Sequence, residues 1–400
     1  MAASFMLERE AVMQRLREFS EADWHGGLEW LDVSGVALYF LDRLRTLGAE
    51  AALPRVIEEA LDDRLRRNRE RIDGLRREAA KISDWLQDAG VNFALLKGFT
   101  LVPHSVPDPN LRSQADLDFL VEQRCREVTV EYAGRLGYSL HGESRGSLEF
   151  RAPGEDAPGL DRGYSARSQR ALELHFAADS RAERSLLARR VPRAIDDLQT
   201  FALAEPDILV HQARHLLKHF CGEYTRLSWV LEFHRHVMAR RGDVEFWRDA
   251  EQVARTQENG DLAMATALWI ARDLFGDVPV VLPEQWQTRA LPKGVRLWLT
   301  RYAHQVLLGP PRPSKLYVLL RRELPGAAES RRSLRAILFP HYLPARVLDP
   351  RPYESWPERW RRFGFELRFF VSRLCFHILE GIRFGIEAFR WRRAVARAGQ

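Results

Sequence analysis

Between Val91 and Glu122 the chain reads VNFALLKGFTLVPHSVPDPNLRSQADLDFLVE, and this stretch narrows the fold more than any other. Val91 to Leu96 is a short apolar run of the kind that forms a buried strand. Lys97-Gly98 marks a turn, a brief helical segment follows, and a proline-punctuated loop runs from Pro103 to Pro109. A second strand begins at Asp116-Leu117-Asp118-Phe119-Leu120-Val121. With a period of two, Asp116 and Asp118 share one face while Leu117 and Phe119 take the other. Two carboxylates side by side repel each other unless a cation sits between them. Oxygen ligands at that spacing suit magnesium, which keeps its waters and binds phosphates.

Around this stretch the chain divides by periodicity. Residues 7–49 read as two helices. Pro54 opens one long helix that runs to about Asp88, with Gly90 past its end, in keeping with helix punctuation. Its apolar stripe includes Val56, Ile57, Leu61, Leu65, Ile72, Leu75, Ala79, Ile82 and Leu86, spaced to pack on the sheet that starts at Val91. After the Asp-x-Asp strand come a helix over Cys125–Leu136, a hairpin around Gly142–Gly146, a loop over Ala152–Gln169, and a strand at Ala171–Phe176. In that last strand Glu173 and His175 share one face. From Arg181 to about Leu338 helical periodicity dominates. The expectation is an α+β fold, a small mixed sheet backed by helices.

Four pieces of this stretch, Leu96-Lys97-Gly98, Pro107-Asp108-Pro109, Leu111-Arg112 and Asp116-Leu117-Asp118-Phe119-Leu120-Val121, resemble the uncharacterised nucleotidyltransferase family. That family lies within the superfamily that includes DNA polymerase beta and the antibiotic nucleotidyltransferases. Phe99 departs from the superfamily, which usually has Gly or Ser there. The resemblance implies a polymerase-beta-like nucleotidyltransferase core at residues 91–180, with a helical region at 1–90 packing on it. A helical domain at 181–340 then closes over substrate, and 341–400 is a linker and a final helix. It also implies an enzyme: magnesium-dependent transfer of a nucleoside monophosphate from a nucleoside triphosphate such as ATP to a hydroxyl, with release of pyrophosphate.

In such a site two metal ions bridge the triphosphate and the attacking hydroxyl. Asp116 and Asp118 hold both ions. A third carboxylate, on a later strand, holds the ion nearest the nucleophile. Glu173 fits it by strand position, and Glu173-Leu174-His175-Phe176 resembles the family's Glu-h-His-Trp, where h is apolar. Gly98 lets the backbone approach the phosphates, Lys97 supplies a point charge, and Arg112 a two-pronged fork. His175 orients Glu173 or binds phosphate. The acceptor is a small molecule or a protein side chain ahead of a nucleic-acid end. The alternative is a nucleotide-binding or partner-binding module of this fold without turnover.

Further along, His211, His215, Lys218 and His219 fall on one helix, with Arg226, Trp229 and Glu232 on the next. This polar face either closes over the nucleotide or acceptor or is a set of solvated and satisfied side chains. Three cysteines, Cys125, Cys221 and Cys375, are too scattered for a disulfide framework or a zinc site and fit a cytoplasmic protein. No uncharged run approaches the roughly twenty residues of a membrane span. A net charge of +6 suits triphosphate or nucleic acid, although an arginine-rich composition is the simpler source. The last helix, from about Pro357 to Arg397, mixes aromatics with arginines. It either lies peripherally on an anionic membrane surface or docks on its own domain or a partner subunit.

Overall fold

The long helix expected after Pro54 and the strands that follow it form the frame of the molecule. The structure is a computed structural model that describes residues 1–144, 146–152, 163–166, 168–177, 186–276, 278, 282–309, 313–324, 338 and 355–399. The chain divides into two units, Met1–Leu217 with Arg226–Ala290, and Lys218–Thr225 with Leu291–Gln400.

In the first unit, residues 7–49 form three helices rather than two: α1 (Arg9–Arg17), α2 (Glu21–Ser34) and α3 (Ala37–Leu47). Ser20 starts α2 with a reciprocal cap to Asp23, and Gly35 ends it at φ 73°. A side chain would be strained at that angle, so the stop is written in the glycine. The 34-residue α4 (Arg55–Asp88) follows. Its stripe is buried from Ile57 to Leu86, but Val56 faces solvent at 71% exposure.

The sheet contains β1 (Phe93–Leu96), β2 (Asp116–Glu122), β3 (Ser139–Ser144), β4 (Ser147–Arg151), β5 (Ala171–Ala177), β6 (Val191–Ile195) and β7 (Leu198–Ala202), with α5 (Arg126–Arg135) between β2 and β3. The strand order is β3-β4-β5-β2-β1-β7-β6. The β2–β5 and β1–β7 pairs are parallel and the others antiparallel, so the sheet is mixed and the fold is α+β. The last two strands correct the expectation of helix from Arg181. Ile195 and Leu198 are paired across Asp196-Asp197, and Asp196 takes φ 52°, a conformation that Asp tolerates in tight hairpin turns. Pro192 is accommodated because β6 is an edge strand. The expected loop over Ala152–Gln169 lies mostly outside the described residues, as does the linker after Pro340.

Period two divides the strand residues between two cores. Phe93, Leu95, Leu117, Phe119, Val121, Leu172, Leu174 and Phe176 pack with Ile72, Leu75, Ala79, Ile82 and Leu86 of α4. Ala94, Leu96 and Leu120 face the other way, toward Leu101, Leu203 and Ile208. Asp118 lies on this second face. Beyond β7 come α6 (Glu205–Phe220), α7 (Leu227–Ala239), α8 (Val244–Thr256) and α9 (Gly260–Phe275), and α9 packs on both α7 and α8.

The second unit contains α10 (Lys293–Leu308), α11 (Tyr317–Arg321) and the 44-residue α12 (Trp356–Gly399). Its core holds Trp298, Tyr302, Leu316, Leu320, Phe384 and Trp391. Among the described residues no helix is long and apolar enough to cross a membrane.

Candidate active site

At the end of β1 the backbone turns sharply, with Lys97 at φ 53° and Gly98 at φ 45°. A side chain at position 98 would meet Gln114 at 2.4 Å, and Gln114 Nε2 itself donates to the Asp116 carbonyl at 2.7 Å. The backbone angle favours glycine here, and a side chain would in addition have to displace the end of Gln114. Thr100 closes the turn by donating from Oγ1 to the Lys97 carbonyl at 2.8 Å.

The loop that delivers β2 is held by α4. Asn68 Nδ2 donates to the carbonyls of Asn110 and Arg112 at 2.7 and 3.1 Å. The buried Arg71 donates to the carbonyls of Gln114 (2.7 Å), Ala115 (3.4 Å), Ser165 (2.7 Å), Ser168 (3.3 Å) and Gln169 (3.4 Å). One guanidinium thus ties the entry of β2 to the entry of β5. Burial holds its pKa below the ordinary arginine value, helped by nearby Arg170. Neither residue was among the sequence candidates. The signal was present: Asn68 occupies a stripe position between Leu65 and Ile72, where an apolar residue is the rule.

The two strands pair in parallel with Asp118 opposite Glu173 and Leu120 opposite His175, while β1 sets Leu96 opposite Asp118. This register gathers four of the seven sequence candidates. Lys97 Nζ is 2.7 Å from Asp118 Oδ1. His175 Nε2 is 3.2 Å from the same oxygen and 3.5 Å from Glu173 Oε2. The ligand atoms of Asp118, Glu173 and His175 all lie within 4.8 Å of one another. Asp116, two residues earlier, is outside that group.

The charges divide unequally over this site. Burial alone would raise the Asp118 carboxyl, but the Lys97 ammonium and the His175 imidazole outweigh it and hold the pKa far below the carboxylate range. Asp116 goes the other way, raised by burial and by the Asp118 charge. Its carboxylate accepts no hydrogen bond among the described residues. A hydrogen bond from His175 lowers Glu173. Burial opposes the charged form of His175, yet the bonds to Asp118 and Glu173 prevail and raise it. Lys97 is likewise raised against its burial, by Asp118 and then Asp116.

Arg112 is turned to a different partner. Its Nε donates to Glu232 Oε1 of α7 at 3.2 Å, and the Tyr39 hydroxyl donates to the same oxygen at 3.0 Å. Arg112, Glu232 and Lys97 line a narrow cleft. Its remaining walls include Leu96, Leu101, His211, His215 and Trp229. The His215 ring meets Trp229 edge-on at 4.7 Å. Burial, then the Lys97 and His175 charges, push His211 down to about 3, so it is neutral at neutral pH. Lys218 and His219 are not among the cleft's lining residues.

No curated protein matches the chain. Among solved structures it is similar to an antigenic nucleotidyltransferase-like protein from Paracoccidioides brasiliensis, at 12% identity and a TM-score of 0.30, over 48% of this chain and 92% of that one. The family described as uncharacterised nucleotidyltransferase matches residues 20–276. That match takes in α2 through α9, with the Lys-Gly turn, the Asp-x-Asp strand and Glu173 inside it, and the chain belongs to the uncharacterised nucleotidyltransferase family.

Proposed function

We propose that this protein transfers a nucleoside monophosphate from a nucleoside triphosphate to a hydroxyl acceptor, with magnesium, and releases pyrophosphate. The observation that carries the reading is the parallel β2–β5 register, which sets Asp118 against Glu173 beside the Lys97-Gly98 turn. The donor set fits a hard divalent cation. Asp116 and Asp118 start one strand, Glu173 faces Asp118, and the raised, unbonded Asp116 carboxylate is a group that a cation would relieve. Asp116, Asp118 and Glu173 would hold magnesium, which when bound neutralises phosphate charge and polarises the phosphoryl oxygens.

The protein groups divide the remaining work. The glycine turn lets the chain approach the triphosphate, and Lys97 offers a point charge to it. The acceptor oxygen forms its bond to the α-phosphorus as the bond to pyrophosphate breaks. The hydroxyl proton passes to Glu173 Oε2. His175 bonds both carboxylates and orients them, as groups behind a metal site commonly do. The cleft beside Lys97 receives the nucleotide or the acceptor, a small molecule or a protein side chain. Positioning and charge neutralisation supply most of the rate.

A second reading, a nucleotide-binding module without turnover, is favoured by the Lys97–Asp118 ion pair, which balances that carboxylate without a cation. Incubating the protein with magnesium, each α-labelled nucleoside triphosphate and a whole-cell extract separates the two. Pyrophosphate release and label in one molecular class are expected, both lost in Asp118→Asn. Triphosphate binding with no pyrophosphate from any extract would assign the site to binding alone.

A further inference from the structure

We infer that α12 is a membrane-surface helix that lays its free face on a bilayer of anionic lipid. The inference concerns the second unit and stands apart from the nucleotide site. One face of α12 is fixed to its own unit. Tyr302 donates to Glu387 at 2.8 Å, the Lys315 backbone N–H and the Ser314 hydroxyl to Glu380 at 3.1 and 3.3 Å, and Trp391 to Glu323 at 3.2 Å. Phe384, Ala388 and Trp391 are buried between these anchors. The orientation of the helix about its axis is thereby set.

Away from the anchors runs an apolar stripe. Trp356, Trp360, Leu367, Leu374, Ile382 and Phe389 recur at intervals of one to two turns, and each is at least 50% exposed. The stripe runs from Trp356 to Phe389 of the 44-residue helix, a length of about 50 Å at 1.5 Å per residue. A contiguous exposed apolar face of that size marks an interaction surface.

Charge decides the partner. Residues 356–399 contain ten arginines against four glutamates and neither lysine nor aspartate, so this one helix accounts for the chain's whole formal charge of +6. Glu380 and Glu387 hold the anchors and each also pairs with an arginine of the helix, Arg383 and Arg390. Arg361, Arg368 and Arg393 are exposed, with the Arg393 guanidinium over the Phe389 ring at 4.2 Å. A second copy on this face would bring arginine against arginine. An anionic headgroup layer supplies the opposite charge, while the acyl region takes the Trp, Phe and Leu side chains. Arginine stems reach outward from an apolar stripe to charged headgroups. The helix lies on the bilayer and does not span it, consistent with the charges along its length.

Vesicle flotation of the full-length protein tests this. One set of vesicles is phosphatidylcholine alone, and the other contains roughly a third phosphatidylglycerol. The expected result is flotation at least about tenfold greater with the anionic set, falling steeply with added salt. The triple change Trp360→Glu, Leu367→Glu and Leu374→Glu, all at exposed positions, should abolish flotation without lowering the melting temperature. No flotation with anionic vesicles, or equal flotation with both sets, would overturn the inference. So would a concentration-dependent dimer that the triple change dissociates and that does not float, since the face would then belong to a second copy.

Discussion

Asp116 and Asp118 look equivalent in the sequence, and their surroundings make them opposites. Asp118 is buried beside Lys97 and His175 and held ionised, whereas Asp116 is raised and unbonded. Without metal or nucleotide, Asp116→Asn should leave the melting temperature unchanged or higher at neutral pH, because ionising an acid with a raised folded pKa costs stability there. Asp118→Asn should cost about 3 kcal/mol by stranding the Lys97 ammonium. Thermal denaturation of the two single variants checks both signs. His236 provides a pH counterpart. It is buried, bonded through Nδ1 to Ser105 and Gln212 at 3.2 and 3.1 Å, and burial pushes it down to about 3. Its folded pKa lies below the unfolded value, so the unfolded chain gains a proton first as pH falls. The stability margin of wild type over His236→Gln should therefore shrink by about 1.4 kcal/mol per unit below pH ~6, flattening only near pH 3. Urea melts at stepped pH measure that margin, and one constant from pH 7 to 4 would contradict a neutral buried imidazole.

At the scale of elements, α4 does two jobs. One stripe packs the sheet, and the polar pair Asn68 and Arg71 fixes the starts of β2 and β5. Arg71→Met keeps length and loses every donor, so the Gln114 carbonyl loses the bond it accepts, while those of Ala115 and Ser165 keep backbone N–H partners. A loss of about 1–3 kcal/mol is expected from the bonds removed, with Arg71→Lys intermediate. Amide hydrogen exchange should show the loss concentrated over residues 110–118, and uniform change would instead mean global loosening. The turn after β1 is equally specified. In Gly98→Ala the new methyl enters the space of Gln114 at a positive φ, so a cost of about 1–3 kcal/mol is expected. Triphosphate affinity should fall with it, which titration calorimetry of the folded variant would show.

For the whole molecule, ligand binding and stability are linked. Magnesium with a nucleoside triphosphate at 100 times its Kd should stabilise the folded chain by about 2.7 kcal/mol through mass action. Asp116→Asn is the clean control, since it is expected to keep metal-free stability and lose that shift. A wild type with no magnesium-dependent shift from any of the four common triphosphates would remove the nucleotide site from consideration. An unchanged shift in Asp116→Asn would remove that residue from the metal set.

The sequence by itself determined the local elements. Apolar spacing defined α4 and α12, period two defined β2 and β5, and the Lys97-Gly98 turn followed from a glycine directly after an apolar run. Such signals are legible because 3.6- and 2-residue periods act over a few neighbours. The β6–β7 hairpin escaped because each strand has only five residues and apolar spacing in so short a run does not separate strand from helix. Only the tertiary structure decided the pairings. Asp118 meets Glu173 through a parallel register across more than fifty residues of chain, and Arg112 meets Glu232 across 120 residues. Arg71 finds carbonyls on two loops at once, and Val56, though on the apolar stripe, faces solvent. These contacts depend on which surfaces the whole chain leaves available after its cores close, a property of packing that no local period contains.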